Sequence, residues 1–179
     1  MAGGMGGGAN RQDAAAQGRM AAGFLGRADG PRIAMMETSG WDTHSGQSAR
    51  LATQLGNLDK LLAGLQEGLG AVWDKTVILV ATEFGRTVAA NGTGGTDHGT
   101  GAVAMMVGGA VQGGRIVSDW PGLASANLLD GRDLKPTLAL DALVTAACAE
   151  SFALDPDRLS PVLFPQGLRG KPLSRLLRA

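Results

Sequence analysis

The sequence predicts an α/β fold in which helices pack on the faces of a β-sheet. Two apolar runs, residues 32–38 and 76–82, have the composition of buried strands. Between them, leucines recur at alternating spacings of four and three residues, which is typical of a helix with one apolar face. A strand, a helix and a strand in this order predict two parallel strands joined by a right-handed crossover.

The element between the two strands is the clearest one, a helix over residues 45–70. Ser45 or Ser48 can cap its start, and Gly70 can end it. A coiled coil is the competing interpretation, but a short heptad run with interior glycines favours a helix packed on a sheet. The apolar stripe consists of Leu51, Leu55, Leu58, Leu62, Leu65 and Leu69.

Three further elements follow in the second half of the chain. Residues 102–107 predict a buried strand, residues 115–118 a short strand, and residues 138–152 a second amphipathic helix. The proline-containing tail after this helix predicts loops with at most short helical turns.

The first 30 residues differ in composition from the rest of the chain. They contain 9 Gly and 8 Ala and predict a flexible lead-in, against a weak helical tendency over residues 13–25. The expected organisation is this lead-in, a partial α/β domain over residues 31–166 and a tail over residues 167–179. The lead-in has neither the apolar core of a signal peptide nor a twin-Arg pair. A cytosolic protein and a C-terminal fragment of an exported, periplasmic one therefore both fit.

Composition and missing motifs exclude several function classes. Lys and Arg total 16 and Asp and Glu total 16, which argues against a nucleic-acid binder that depends on excess positive charge. No apolar run approaches the roughly 20 residues that span a bilayer. The single Cys148 excludes a disulfide framework and a cysteine-based zinc site. The chain also lacks the P-loop motif and the nucleophile elbow of α/β-hydrolases.

The two histidines of the chain each stand close to an aspartate, in Asp42-Thr43-His44 and in Asp97-His98. In an extended segment, a spacing of two points Asp42 and His44 to the same side. Asp42 and Glu83 follow the carboxyl ends of the two parallel strands, which is the edge where open α/β sheets bind ligands. The second pair precedes a strand instead. It reaches this edge if that strand runs antiparallel, or if the long loop before it folds back.

Carboxylates and imidazoles without sulfur indicate a divalent metal site. Such a set suits Zn²⁺, Mn²⁺ or Fe, and it suits Mg²⁺ or Ca²⁺ where oxygens dominate. These ions stabilise charge on a transferring phosphoryl or sulfuryl group and activate water. Arg86 has two open interpretations, a bidentate contact with an anionic substrate oxygen or a surface salt bridge with a carboxylate such as Glu83. The expected metal ligands are Asp42, His44, Glu83, Asp97 and His98.

Four motifs resemble the C-terminal half of the bacterial family named domain of unknown function 1501. They are Gly40-Trp41-Asp42-Thr43-His44, Glu83-Phe84-Gly85-Arg86-Thr87, Gly95-Thr96-Asp97-His98-Gly99 and Asp119-Trp120-Pro121-Gly122. The resemblance covers about residues 31–166. This family is related to the alkaline phosphatase and sulfatase superfamily. The resemblance therefore implies a three-layer α/β/α fold, whose mixed sheet combines parallel strands with an antiparallel one.

The resemblance also implies a function. The superfamily binds one or two metal ions through Asp and His in late loops, which carries over to Asp42, His44, Asp97 and His98 and less directly to Glu83. The implied activity of the full-length form is metal-dependent hydrolysis of phosphate or sulfate esters, with a small anionic ester as substrate. The alternative is a noncatalytic binding or structural module that keeps the fold.

Two expectations follow from the part of the superfamily fold that this chain does not match. The superfamily nucleophile comes from an N-terminal strand and its loop, which residues 1–30 do not resemble, so little or no catalysis is expected of this chain alone. A sheet without its first strands has an open edge, and open edges pair with other chains. Homo-oligomers are therefore expected.

Overall fold

A computed structural model describes residues 13–171 and 173–178, which form four α-helices and two small antiparallel sheets. The helices are α1 (Ala14–Leu25), α2 (Gln47–Leu69), α3 (Leu140–Phe152) and α4 (Pro156–Leu163). The strands are β1 (Ile78–Val80), β2 (Gly85–Arg86), β3 (His98–Gly99) and β4 (Met105–Val107). Two short 3₁₀ helices span Gly70–Lys75 and Ser125–Asn127. None of the described helices is both long and apolar enough to cross a membrane.

The chain divides into two compact units. The first holds the described residues up to Ser39 together with Ala52–Gly70, and the second holds Gly40–Leu51 and the residues from Ala71 onward. Every residue of the candidate site described below belongs to the second unit.

The first unit is a pair of closely packed helices. The side chain of Asp13 accepts a hydrogen bond from the Ala15 amide at 3.1 Å and so caps the start of α1. A Cβ added at Gly18 would overlap the backbone of Leu61 in α2. Because the side chain at this crossing is only a hydrogen atom, the two helices approach closely, and Leu61 and Leu65 are buried.

The second unit contains both sheets and a small core. β1 pairs antiparallel with β4, and β2 pairs antiparallel with β3. The register of the second pair places Arg86 opposite His98. The core lies where α3 meets the C-terminal segment, and it is built from Ala146, Ala147 and Leu176. Met106 of β4 packs against this core, and the β2–β3 pair carries the candidate site.

The predicted three-layer α/β/α fold with a mixed sheet is wrong. Among the described residues both sheets have two antiparallel strands, and no strands pair in parallel. Residues 76–82 form only the three-residue β1, whose side chains are half-buried rather than covered on both faces. Residues 32–38, expected to be the parallel partner of β1, have no regular structure, and Met35 is 96% exposed. These residues join neither sheet in the part of the chain that the structure describes, so the predicted parallel crossover is absent there.

Several elements are confirmed with shorter bounds. The helix predicted over residues 45–70 is α2, which ends at Gly70 in a left-handed conformation with a φ of 51°. The helix predicted over residues 138–152 is α3, and residues 102–107 contain β4 in the antiparallel direction. The short strand expected over residues 115–118 is absent, and Ile116 is 91% exposed.

The two ends of the chain are more helical than expected. Residues 14–25, for which composition favoured a flexible segment, form α1, while residues 1–12 of the expected lead-in lie outside the described residues. The proline-containing segment after α3 forms the eight-residue α4, which starts with the Asp155 cap and Pro156 in its first turn. The predicted division of the chain at residues 30 and 166 stays a prediction.

Candidate metal centre

The β2–β3 pair brings two of the sequence motifs side by side. Its antiparallel register sets Arg86 opposite His98 and Gly85 opposite Gly99. A Cβ added at Gly99 would overlap the backbone of Arg86. Glycine is therefore required for the two segments to lie this close, and the closeness brings the Arg86 and His98 side chains to one place.

A third segment, the loop before α2, packs against the loop before β3. The amide of Gln47 donates to the Gly94 carbonyl at 2.9 Å, and the amide of Gly46 donates to the Thr93 carbonyl at 3.2 Å. The Gln47 side chain also joins the loops, because its Oε1 accepts from the hydroxyls of Thr43 at 3.1 Å and Thr96 at 2.7 Å. These contacts hold the Asp42–His44 segment against the Asp97–His98 segment.

The assembled loops bring one carboxylate and two imidazoles together, which we call the Asp-His cluster (Asp42, His44 and His98). Asp42 Oδ1 lies 2.9 Å from His44 Nε2 and 2.8 Å from His98 Nε2. One ligand atom from each of the three residues falls within 4.8 Å of the other two. All three side chains are about half exposed, so a small molecule in solvent can reach them.

Three neighbours orient the members of the cluster. Asp97 Oδ1 lies 3.1 Å from His44 Nδ1, on the side of the ring opposite Asp42. The Phe84 ring stacks on the His98 ring, with a centroid distance of 4.3 Å and an interplanar angle of 17°. Arg86 donates to Asp42 Oδ1 at 2.9 Å. Each ligand side chain therefore has a second residue that fixes its direction.

The electrostatics favour ionised carboxylates in this centre. The hydrogen bond with His98 is the largest cause that lowers the pKa of Asp42, and the hydrogen bond from Arg86 acts in the same direction. The pKa of Asp97 is lowered mainly by the hydrogen bond from Asn91 and then by the one with His44. Carboxylates that stay ionised are the form that binds metal ions.

Of the predicted site residues, the structure brings together Asp42, His44, Arg86, Asp97 and His98. Glu83 is exposed and makes no hydrogen bond or ion pair within the described part of the chain. The strand-end argument for Glu83 assumed a parallel sheet, and the structure contains none among the residues it describes.

Arg86 is mainly engaged within the loops. Its Nη1 donates to the Thr96 carbonyl at 3.0 Å, and its Nη2 donates to the Trp41 carbonyl at 2.6 Å as well as to Asp42. The side chain is only 20% exposed. The observed ion pair is therefore with Asp42 rather than with Glu83, and Arg86 joins all three segments of the centre.

Sequence reasoning missed three residues that support the centre: Phe84, Gln47 and Asn91. Phe84 lies inside the motif at residues 83–87, but residue type alone does not indicate that its ring stacks on a histidine. Gln47 and Asn91 act through side-chain amides that join segments distant in sequence. Long-range hydrogen bonds of this kind leave no periodic signal in a sequence.

Comparison with known protein families gives one match. A family described as protein of unknown function (DUF1501) matches residues 4–161. This is most of the chain, so the chain belongs to that family. No curated protein and no solved structure matches it.

Proposed function

We propose that this member of the DUF1501 family binds a divalent transition-metal ion at the Asp-His cluster and uses it to bind a small phosphate or sulfate ester, with at most slow hydrolysis by the chain alone. The observation that supports the metal site is the convergence of Asp42, His44 and His98 ligand atoms within 4.8 Å. Two imidazole nitrogens and one carboxylate oxygen suit Zn²⁺ better than Mg²⁺ or Ca²⁺, which prefer sites made of oxygens.

The distances in the cluster support this fit. Ligand atoms bound to one tetrahedral Zn²⁺ lie about 3.3 Å apart, given bonds of about 2.0–2.1 Å. The two Asp42–imidazole distances are 2.8 and 2.9 Å, so each would open by about 0.5 Å on binding. The ligand nitrogens of His44 and His98 lie within 4.8 Å of each other, so they would close by up to about 1.5 Å. Three protein ligands in an exposed site also agree with a catalytic zinc centre, which leaves a position open, rather than with a closed structural one.

The surrounding residues support a role in binding anions. Asp97 on His44 Nδ1 repeats the carboxylate–histidine arrangement that orients metal ligands. Arg86 offsets the charge of Asp42 and adds positive charge beside the cluster, while its Nη groups stay hydrogen-bonded within the loops. A bound divalent ion polarises a phosphoryl or sulfuryl oxygen and activates water. A small anionic ester is therefore the substrate class that this site fits.

A noncatalytic binding module is the second candidate function. Thr43, between Asp42 and His44, is 2% exposed, and its hydroxyl donates to Gln47 Oε1. The Thr82 hydroxyl donates to the Phe84 carbonyl. Neither is placed as an activated nucleophile within reach of a base, which covalent catalysis requires. Binding of an anionic ester without turnover would follow from the same site.

Zinc titration of the metal-stripped protein, in competition with a chromophoric chelator, tests the proposal. We expect about one tightly bound Zn²⁺ per chain, with binding lost in His44→Ala and His98→Ala. Glu83→Gln serves as the matched control, because it removes a predicted ligand that lies outside the cluster, and it should bind like the wild type. Equal binding by the wild type and both histidine variants would contradict the site.

An aryl phosphate and an aryl sulfate then separate the two candidate functions. Metal-dependent turnover that His98→Ala abolishes would support the hydrolase. Metal-dependent binding of phosphate or sulfate without turnover would support the noncatalytic module. Neither binding nor turnover by the zinc-loaded protein would refute the assignment of an anionic ester.

A further inference from the structure

Asn91 lies at the centre of the hydrogen bonds that join the two halves of the metal centre. Its Nδ2 donates to the His44 carbonyl at 2.9 Å and to Asp97 Oδ1 at 3.1 Å. Its Oδ1 accepts from the amides of Thr93 at 3.0 Å and Gly95 at 3.1 Å. One side chain thus contacts a ligand residue, the carboxylate behind that ligand, and the loop that carries this carboxylate.

The chemistry of these contacts requires an amide at this position. On one side of Asn91 both partners are acceptors, a carbonyl and a carboxylate. On the other side both backbone partners are donors. Only a side chain with a donor end and an acceptor end satisfies both sides, and aspartate, of nearly the same shape, would set an oxygen against Asp97.

The contact with Asp97 has a direct consequence for His44. The same Asp97 Oδ1 that accepts from Asn91 lies 3.1 Å from His44 Nδ1. The Asp97 side chain is 56% exposed, so it has room to adopt other rotamers unless a neighbour holds it. Asn91 holds this oxygen and, at the same time, the backbone carbonyl of His44.

We propose that Asn91 is a positioning residue of the metal centre, which fixes Asp97 and through it the His44 ring. The inference rests on the proposed metal function for its consequence, but the contact on which it depends exists without a metal. Replacing a residue that hydrogen-bonds to a metal ligand typically lowers metal affinity about 10–100-fold.

A double-mutant cycle tests the proposal. It compares the wild type with the single variants Asn91→Asp and Asp97→Asn and with the double variant that carries both changes. Asn91→Asp keeps the acceptor for the Thr93 and Gly95 amides but sets two carboxylates against each other, and it should weaken Zn²⁺ binding about 10–100-fold. In the double variant this repulsion is absent, although the contacts of positions 91 and 97 with His44 are not restored. The combined loss of affinity should therefore be about threefold or more smaller than the product of the two single losses, since coupled residues are not additive.

Two controls separate positioning from a general loss of structure. Asn57→Asp makes the same chemical change on an exposed position of α2 and should leave affinity unchanged. The visible spectrum of the Co²⁺-loaded protein reports ligand geometry, and it should change in Asn91→Asp and stay unchanged in Asn57→Asp. A loop that is merely destabilised would give additive losses of affinity in the two single variants.

Thermal unfolding of the metal-free variants distinguishes failure of this inference from failure of the proposed function. If Asn91 holds Asp97, the melting-temperature shifts of the two single variants should differ from additivity by about 2 °C or more. A wild type that binds neither Zn²⁺ nor Co²⁺ would refute the metal function, while the unfolding cycle would still decide the positioning role. Additive shifts in unfolding, or additive losses of metal affinity, would overturn the inference for Asn91.

Discussion

Gly95→Ala tests whether close packing of two loops assembles the Asp-His cluster. A Cβ at this position would lie closer than 3.0 Å to backbone atoms of Thr43 and His44. Backbone atoms cannot rotate away as a flexible side chain can. The Cβ would lie 2.2 Å from the His44 carbonyl carbon, and carbon atoms in ordinary contact are about 3.5–4.0 Å apart, so the two loops must separate by roughly 1.5 Å. His44 would then move away from Asp97 and His98.

The cost of this separation can be worked out from two opposing effects. Overpacking costs about 1–3 kcal/mol. Loss of glycine freedom in the unfolded chain offsets this by about 0.4–1 kcal/mol. We therefore expect the free energy of unfolding to fall by about 1–2 kcal/mol, which lowers the melting temperature by about 2–8 °C. Zinc affinity should fall as well, because the cluster takes ligands from both loops.

Circular dichroism melts of the metal-free protein and chelator competition for Zn²⁺ measure the two effects. Gly92→Ala is the matched control, because a Cβ there meets nothing within 4 Å although it lies in the same loop. It should match the wild type or gain up to about 1 kcal/mol. A Gly95→Ala protein that melts and binds zinc like the wild type would refute the packing described for the loops. An equal loss in Gly92→Ala would assign the effect to backbone conformation instead of overlap.

Three further predictions concern pH, assembly and catalysis. The folded-state pKa values of Asp42 and Asp97 lie below the ordinary value of 3.8, so their stabilising contribution is fully present above that pH and is lost as the pH falls through the lowered values. Urea unfolding of the wild type and Asp97→Asn should converge in acid, and a difference that stays constant throughout acid titration would contradict this. Among the described residues, β1 and β4 pair only with each other, so no strand pairs with the outer edges of that sheet. Because unpaired strand edges associate with other chains, light scattering should show dimers or larger species rather than a monodisperse monomer. Turnover of an aryl phosphate or aryl sulfate by the chain alone, with Zn²⁺, Mn²⁺, Mg²⁺ or Ca²⁺, should stay far below the about 1–10³ per second of typical enzymes. Rates in that range that His98→Ala abolishes would show that the chain supplies a complete catalytic set.

Local patterns in the sequence predicted individual elements better than their arrangement. The leucine spacing identified α2 because helical periodicity is a property of one segment, and Leu58, Leu65 and Leu69 are buried as expected. The same stripe also predicted burial of Leu55, which is 48% exposed. A periodic pattern defines the apolar face of a helix. How much of that face is buried depends on how far the partner helix extends along it.

The arrangement of strands could not be predicted from apolar runs. Residues 32–38 and β1 both have strand-like composition, but hydropathy does not specify which segments exchange hydrogen bonds. β1 pairs with β4 in the antiparallel direction, and residues 32–38 pair with no described strand. The structure brings Asp42, His44, Asp97 and His98 together in spite of this error, because their choice depended on residue type and pairing within loops, and their role as metal ligands stays a prediction. The choice of Glu83 depended on the sheet edge itself, and the structure leaves it outside the cluster.

Anomalous diffraction from crystals grown with Zn²⁺ tests the central claim most directly, because it locates the ion. The Asp-His cluster predicts one strong peak at the zinc edge, about 2.0–2.2 Å from Asp42, His44 Nε2 and His98 Nε2. The peak should be missing in crystals of His98→Ala grown under the same conditions. No peak at millimolar zinc, or a peak that avoids both histidines, would contradict the claim that these three residues form a metal centre.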